Sequence, residues 1–271
     1  MIDYKLRYIQ GHKGELAVYC WPVKQPRFLA LLVHGYGEHL GRYHHVADKL
    51  GECGGYVFGP DHTGHGLSQG ERALIEDVDA VVDDVHKAVF TLRSQFADLP
   101  LVVIGHSMGG MIATRYVQRH PDSISALVLS GPLLGERTAI TDLAALETIP
   151  DTPLDTRTLS RDPAVGAAYQ ADTLVWHGPF KRPTLNAFKD ALVRISGGAN
   201  VGALPLLWMH GSDDQLVLLA ETQPAIDKLR GSVFDAEIWP GARHEIFNET
   251  NKQQVIKRMT DFIRSTLKRN T

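Results

Sequence analysis

Residues 101–119, LVVIGHSMGGMIATRYVQR, carry the clearest structural pattern of the chain. The apolar run 101–104 predicts a strand that is buried on both faces. Residues 108–119 predict a helix that stops before His120-Pro121. Between them, Ser107 stands in a Gly-x-Ser-x-Gly motif, whose glycines let a strand and a helix pass closely at a strained turn. The stretch therefore predicts a strand, a turn that presents a serine, and a helix.

Strand and helix patterns alternate along most of the chain. Continuous apolar runs are typical of strands inside a parallel sheet, and apolar residues three or four positions apart indicate helices that pack on it. The expected strands are 4–10, 15–23, Phe28–Val33, Tyr56–Phe58, Leu101–Ile104, Ala126–Leu129, Leu204–Met209 and Val233–Trp239. The expected helices are 77–96, 108–119 and 251–268. This alternation predicts an α/β protein with a mostly parallel central sheet and helices on both faces.

One segment breaks the alternation. From Ser130-Gly131-Pro132 to about Gly202 the sequence has no strong strand pattern, and it is rich in proline with modest helical patches. We interpret this segment as an insertion at the carboxyl edge of the sheet. The sequence therefore predicts a core formed by residues 1–135 and 203–271, and an inserted cap formed by residues 136–202.

Composition limits the classes of function. The chain has 271 residues, 44% of them apolar, and a formal charge of −3, which excludes the basic surface of a nucleic-acid-binding protein. No apolar run approaches the length of about 20 residues that a transmembrane helix needs. The first ten residues lack an apolar signal core. We therefore expect a cytoplasmic protein, whose contact with a lipid surface, if any, comes from apolar cap residues. Cys20 and Cys53 are too few for a disulfide framework.

Candidate partners for the serine follow it in the chain. A serine nucleophile needs a base and an acid that orients the base, and in this type of fold the order is serine, acid, histidine. Asp213 and Asp214 follow the predicted strand 204–209, and His244 follows the strand 233–239. Each could be an ordinary turn residue, but their order and their positions after strands favour a catalytic triad. Spacing alone does not choose between the two acids.

Two backbone amides are candidates for an oxyanion hole, which stabilises the tetrahedral intermediate of acyl transfer. One is the amide of Met108, directly after the nucleophile. The other is the amide of Tyr36, in the glycine-rich loop after the strand Phe28–Val33. A metal site at His62 and His65 is a weaker alternative, because two histidines three positions apart in a loop do not complete a ligand set. The sequence therefore predicts no metal and no cofactor.

The chain resembles the monoacylglycerol lipase family of α/β-hydrolases. The segments that carry the resemblance are HGYGEHLGRY at 34–43, DHTGHGLS at 61–68, GHSMGG at 105–110, SRDP at 160–163, GSDD at 211–214 and PGARH at 240–244. The resemblance implies hydrolysis of monoacylglycerols to glycerol and fatty acid, without a cofactor, under a mobile cap that touches lipid. It also implies that Asp214 is the acid, and that Glu38 and Arg42 lie near the polar head of the substrate.

This chain departs from the family pattern at Tyr36, where many members have a small residue. The ring can narrow the pocket or change the chain-length preference. Two alternatives to a monoacylglycerol lipase stay open. One is a broader carboxylesterase or lysophospholipase with the same triad, and the other is a non-catalytic ligand-binding protein on a hydrolase scaffold. The sequence does not indicate the oligomeric state.

Overall fold

The apolar runs form one eight-stranded sheet in a computed structural model, which describes residues 3–269. The strands are β1 Lys5–Gly11, β2 Gly14–Trp21, β3 Phe28–Val33, β4 Gly55–Pro60, β5 Leu101–His106, β6 Ala126–Ser130, β7 Leu206–Gly211 and β8 Phe234–Trp239. Their spatial order is β1-β2-β4-β3-β5-β6-β7-β8. The β1–β2 and β2–β4 pairs are antiparallel and all other pairs are parallel. The carboxyl ends of β3 to β8 therefore meet at one edge of the sheet.

Helices cover both faces of the sheet. They are α1 His44–Glu52, α2 Val78–Arg93, α3 Met108–Arg119, α4 Ala139–Asp142, α5 Pro163–Ala171, α6 Arg182–Ser196, α7 Leu219–Leu229 and α8 Lys252–Arg269. One apolar cluster joins the sheet to α2, α3, α6 and α7, and a second joins its other face to α1 and α8. The predicted α/β-hydrolase architecture is thereby confirmed. Within residues 3–269, no helix combines the length and the apolar character needed to cross a membrane.

The boundaries differ from the sequence prediction where proline intervenes. The strand expected from Leu204 starts at Leu206, because Pro205 has no amide to donate to a sheet. The weak pattern at Tyr56–Phe58 belongs to a full six-residue strand. Helix α7 was not expected, since Pro224 interrupts its sequence.

Cys20 and Cys53 are buried free cysteines.

The segment 131–205, all of it described, connects β6 to β7 through helices and contains no strand. Two hydrogen bonds tie it to the loop after β3. The Trp176 amide donates to the Gly37 carbonyl at 2.7 Å, and His39 Nε2 donates to Asp172 Oδ2 at 2.8 Å. The segment therefore lies over the carboxyl edge of the sheet, where the predicted site residues meet.

Helix α3 touches the sheet at Gly109. A Cβ atom at this position would lie 2.0 Å from the Val33 carbonyl oxygen and 2.5 Å from that of His34. Both distances are far shorter than van der Waals contact. Because the two oxygens belong to the backbone, they cannot move away as the end of a side chain can. Only glycine lets the first turn of α3 approach β3 this closely.

We predict that Gly109→Ala lowers the free energy of unfolding by about 3 kcal/mol or more, because the added methyl group forces α3 away from β3. Urea unfolding followed by circular dichroism measures this change. Gly197→Ala is the matched control, since its added Cβ meets nothing closer than 3.5 Å. A Gly109→Ala protein as stable as the control would contradict the account.

Candidate active site

Ser107 stands at the turn between β5 and α3 in a conformation that residues with a Cβ rarely adopt. Its φ is 56° and its ψ is −124°, and among the described residues the one other non-glycine with positive φ is Ala73. The Ser107 amide donates to the Ser130 carbonyl at 3.0 Å, and the Ser107 carbonyl accepts from the Gly110 amide at 2.8 Å. These bonds hold the strained turn, a kind of strain that is concentrated at functional sites.

The predicted base and acid meet directly. His244 Nδ1 donates to Asp214 Oδ2 at 2.8 Å, and both side chains are buried. Because Nδ1 carries the proton, Nε2 is the nitrogen that can accept one. Burial alone would lower the pKa of His244, but the Asp214 carboxylate and its hydrogen bond raise it above its ordinary value. Asp213, the other acid that spacing allowed, is half exposed and has Arg243 as its ion-pair partner, 3.8 Å away.

Asp214 is held by three donors. Its Oδ1 accepts from the amides of Leu216 and Val217 at 3.0 and 2.9 Å. Its Oδ2 accepts from His244, and His210 Nε2, which donates to the Val217 carbonyl at 2.9 Å, lies 3.2 Å from the same oxygen. Burial favours the neutral acid, but the charge of His244 and the hydrogen bonds keep the pKa of Asp214 well below its usual range. Asp214 is therefore a fixed carboxylate at neutral pH.

Ser107 and His244 line the same cavity. No hydrogen bond joins the Ser107 hydroxyl to the His244 ring, and bonds of this kind commonly tighten only when substrate is bound. The centres of the His106 and His244 rings lie 4.7 Å apart. Burial and the nearby His244 lower the pKa of His106 to about 4. His106 is therefore neutral at pH 7.

Two free amide donors adjoin the nucleophile. Neither the Tyr36 amide nor the Met108 amide has an acceptor within residues 3–269. His34 fixes the peptide that carries the first of them, because its Nδ1 donates to the Gly35 carbonyl at 2.8 Å and its Nε2 accepts from the His62 amide at 3.0 Å. In a trans peptide the carbonyl and the following amide point to opposite sides. Holding the Gly35 carbonyl on the His34 side therefore leaves the Tyr36 amide on the other side.

The cavity beside Ser107 has a volume of about 150 Å³ and a mainly apolar wall. Trp176 and Phe180, from the segment 131–205, belong to this wall. The Tyr36 ring stacks on Phe180 with ring centres 4.5 Å apart, and both rings belong to the cavity wall. Val175 packs instead in a small cluster with Leu159 and Tyr169. Trp176 and Phe180 thus belong to the cavity wall, whereas Val175 belongs to a small separate core.

A polar patch interrupts the apolar wall. Arg42 donates to Glu38 at 2.7 Å and to both carboxylate oxygens of Glu245 at 2.7 Å each, and the Tyr169 ring covers its guanidinium at 5.1 Å. Burial opposes the charges, yet Glu245 raises the pKa of Arg42 and Arg42 lowers that of Glu245. Glu38 and Glu245 line the cavity, whereas Arg42 lies behind them.

The loop after β4 forms hydrogen bonds that hold the loops around the site in place. Asp61 accepts from the amides of Leu40 and Leu67 at 2.8 Å each, and His65 Nδ1 donates to the Thr63 carbonyl at 2.9 Å. Burial lowers the pKa of His65 to about 4. Over the described part of the chain, no group of three or more ligand-type side chains is arranged to hold a metal ion.

Sequence reasoning missed His210 and Glu245. His210 comes near the end of β7, a position where side chains reach the carboxyl edge of the sheet, and that position was a usable signal. Glu245 directly follows His244, but its partner Arg42 lies 203 residues earlier. No local pattern links residues so far apart.

Comparisons with known proteins now give the family. The family model described as Serine aminopeptidase, S33 matches residues 24–251. Monoacylglycerol lipase from Mycolicibacterium smegmatis is 36% identical over 268 residues, which cover 95% of this chain and 96% of that protein. Monoglyceride lipase from Rattus norvegicus is 31% identical and covers 85% of this chain and 80% of its own. The chain belongs to the monoacylglycerol lipase family of α/β-hydrolases. The resemblance drawn from the sequence motifs is confirmed.

A solved structure shows the same fold of the family. A soluble variant of the monoglyceride lipase from Saccharomyces cerevisiae, crystallised with a substrate analogue, superposes with a TM-score of 0.85. The match covers 98% of this chain and 96% of that one, at 24% identity. At that level of identity the likeness concerns the arrangement of the chain and not the reaction.

We predict that Arg42→Met destabilises the protein by about 3–5 kcal/mol at pH 7, because it leaves two buried carboxylates without their cation. The loss should shrink as the pH falls toward 5. Without Arg42 the folded-state pKa of Glu245 rises above its unfolded value, so the folded state takes up a proton and gains stability on acidification. Denaturant unfolding at both pH values measures this.

Lys49→Met is the control for the Arg42 experiment. It breaks the exposed Lys49–Glu52 pair, and pairs of that kind contribute at most about 1 kcal/mol. An Arg42→Met protein that loses no more stability than the control, or whose loss grows on acidification, would show that the buried network is not held by Arg42.

Proposed function

We propose that the chain hydrolyses monoacylglycerols to glycerol and a fatty acid through an acyl-enzyme on Ser107. The names of its relatives support the substrate class. The single observation that carries the proposal is the coincidence, at one cavity, of a strained serine, a paired histidine and two unused amide donors. The reaction needs no cofactor, since every proton transfer has a donor and an acceptor among these groups.

In the first half of the reaction, the Ser107 oxygen attacks the ester carbonyl carbon while His244 Nε2 takes the hydroxyl proton. The negative charge on the carbonyl oxygen is stabilised by the amides of Tyr36 and Met108. Asp214 keeps the proton on Nδ1 and stabilises the imidazolium. His244 then gives its proton to the glycerol oxygen as the carbon–oxygen bond breaks, which leaves the acyl group on Ser107.

In the second half, a water molecule replaces glycerol. His244 removes a proton from the water as it attacks the acyl carbon, and the same two amides stabilise the second tetrahedral intermediate. Collapse of the intermediate returns the proton to the Ser107 oxygen and releases the fatty acid. The base recovers its starting state, so the cycle closes without a net change in the protein.

Residues 136–202 act as a cap on a core of residues 1–135 and 203–271. Trp176 and Phe180 of this segment belong to the apolar cavity wall, which suits an acyl chain. Two apolar side chains of the segment, Leu146 and Leu154, are 43% and 37% exposed, and Leu154 also lines the cavity. These residues support transient contact between the cap and a lipid surface. The cytoplasmic location stays a prediction.

The polar patch lies at the end where the leaving alcohol would bind. Glu38 reaches the cavity wall itself, and Arg42 acts through Glu38 and Glu245, which it positions. The role that the resemblance gave to Glu38 and Arg42 near the substrate head is therefore proposed in two parts: Glu38 as a contact and Arg42 as its support.

The nearest alternatives share the same triad. A broader carboxylesterase or a lysophospholipase would cleave methyl and lysophospholipid esters of matched chain length as well as the glycerol ester. Because one family name refers to an aminopeptidase, an aminoacyl amide belongs in the same panel. Equal kcat/KM on the glycerol and methyl esters would reject the proposed substrate, and activity confined to the amide would reject the reaction.

We predict that Ser107→Ala lowers kcat/KM for 1-octanoylglycerol by about 10³-fold or more, because no other side chain replaces the nucleophile. Titration of released fatty acid measures the rate. A serine-directed phosphonate should label the unaltered chain and not the variant. Absence of labelling in the unaltered chain would favour the alternative of a non-catalytic binding protein.

We predict that kcat/KM falls on acidification with a midpoint above the ordinary pKa of histidine, because His244 must be neutral to accept a proton and its pKa is raised. Asp214→Asn removes the charge that raises it, so the acid limb should move to lower pH. The plateau rate should also fall by about 10³-fold or more. Asp213→Asn is the matched control and should leave the profile unchanged. A larger effect from Asp213→Asn would reverse the assignment.

A further inference from the structure

The polar end of the cavity is lined by two carboxylates. Glu38 and Glu245 belong to the wall, and each side chain is only 5% exposed. Within the part of the chain that the structure describes, no lysine or arginine lines this cavity. Arg42 is bonded to both carboxylates from behind, so one positive charge faces two negative ones. The formal charges of Glu38, Glu245 and Arg42 therefore sum to −1.

Within residues 3–269, Arg42 is the one cation that forms an ion pair with either carboxylate. His106 is neutral, because burial and the neighbouring His244 lower its pKa to about 4. A proton on His244 would be balanced by its own partner, Asp214. The Arg42 charge holds the pKa of Glu245 low in spite of burial. Glu245 is therefore a carboxylate at neutral pH.

The two carboxylates still have room for hydrogen bonds from a ligand. A carboxylate oxygen can accept about two. Glu38 Oε1 accepts from the Gly35 amide and the Tyr43 hydroxyl, but Oε2 accepts from Arg42 alone. Glu245 Oε2 accepts from Arg42 and Asn248, but Oε1 accepts from Arg42 alone. One acceptor position is thus unused on each carboxylate.

The two unused positions are neighbours. Glu38 Oε2 and Glu245 Oε1 both accept from the same nitrogen, Arg42 Nη1, at 2.7 Å each. A molecule with hydroxyl groups on adjacent carbons can donate to both at once. Its hydroxyls would complete the hydrogen bonding of buried carboxylates, which is favourable because hydrogen bonds to charged groups are strong.

We infer that Glu245, together with Glu38, selects the head group of the substrate by charge. A neutral head with adjacent hydroxyls is bound, and a head that carries a phosphate or carboxylate is rejected. An anionic head would lie in a low-dielectric cavity beside a net negative charge, and its oxygens could not donate to the carboxylates. This inference rests on the proposed function, since it names the head of the ester that Ser107 would cleave.

The test is a binding measurement that needs no turnover. The full chain with Ser107→Ala is titrated calorimetrically with 1-O-octylglycerol and with its 3-phosphate, an ether in which a charged phosphate ester replaces the 3-hydroxyl. The change of the affinity ratio on removal of a carboxylate charge separates the effect of charge from that of the lost hydroxyl. The neutral ether is expected to bind about tenfold tighter or more. Adding Glu245→Gln removes the excess charge and should reduce that ratio about fivefold or more.

Glu52→Gln in the same Ser107→Ala background is the matched control. It also removes one negative charge, but from an exposed position on α1 where the Glu52 side chain is 60% exposed, and it should leave the ratio unchanged. Equal binding of the two ethers, or an unchanged ratio in Glu245→Gln, would overturn the inference. If Glu245→Gln does not fold, the ratio in Ser107→Ala alone decides, since equal affinities would still refute selection by charge.

The outcome is separable from that of the proposed function. Hydrolysis of glycerol esters through Ser107 with no preference between the ethers would reject the inference and keep the proposed function. Preference for the neutral ether that depends on Glu245, without hydrolysis of any glycerol ester, would keep the inference about the binding site and reject the proposed reaction.

Discussion

The contact between Gly109 and the Val33 carbonyl sets the position of Ser107. It lets the first turn of α3 rest on the end of β3, and the loop that leaves β3 carries Gly35 and Tyr36. A Cβ on Gly35 would lie 3.2 Å from the Ser107 Cβ, so the two loops touch at backbone level. Two glycines thus place a strained serine beside an unused amide. The apolar sheet beneath supplies the rigidity that keeps the strain in place.

Two buried acidic centres adjoin the same cavity, and they differ in how their charge is balanced. Asp214 accepts hydrogen bonds from His244 and two backbone amides, which fix its carboxylate. Glu38 and Glu245 share one arginine, which leaves one negative charge over. The first arrangement suits a group that stabilises a transient imidazolium. The second suits a group that must attract hydroxyl donors from outside.

Much of the fold could be predicted because it depends on local pattern. Buried parallel strands are continuous apolar runs, and α3 was predicted to its exact limits because a motif precedes it and a proline follows it. Helix α7 escaped prediction because Pro224 breaks its pattern and tertiary packing restores it. The start of β7 was misplaced by two residues because Leu204 continues the apolar run while Pro205 cannot join the sheet.

The candidate site was predictable in its order and not in its electrostatics. Chain order and strand ends pointed to Ser107 and His244, but spacing could not separate Asp213 from Asp214. Which of the two aspartates faces His244 depends on the backbone conformation of the turn after β7, and residue spacing does not specify that conformation. The support of Glu245 by Arg42 depends on a contact across 203 positions, which single-sequence patterns do not record. Burial, and with it every shifted pKa, appears only when the chain is folded.

The proposed reaction requires that a monoacylglycerol acylates Ser107. Rapid mixing of the full chain with 1-octanoylglycerol, followed by acid quenching and peptide mass spectrometry, detects that intermediate. We expect an octanoyl ester on the peptide that contains Ser107, formed before free fatty acid accumulates in step with turnover. Fatty acid release without any acyl adduct, or an adduct on another residue, would rule out acylation of Ser107.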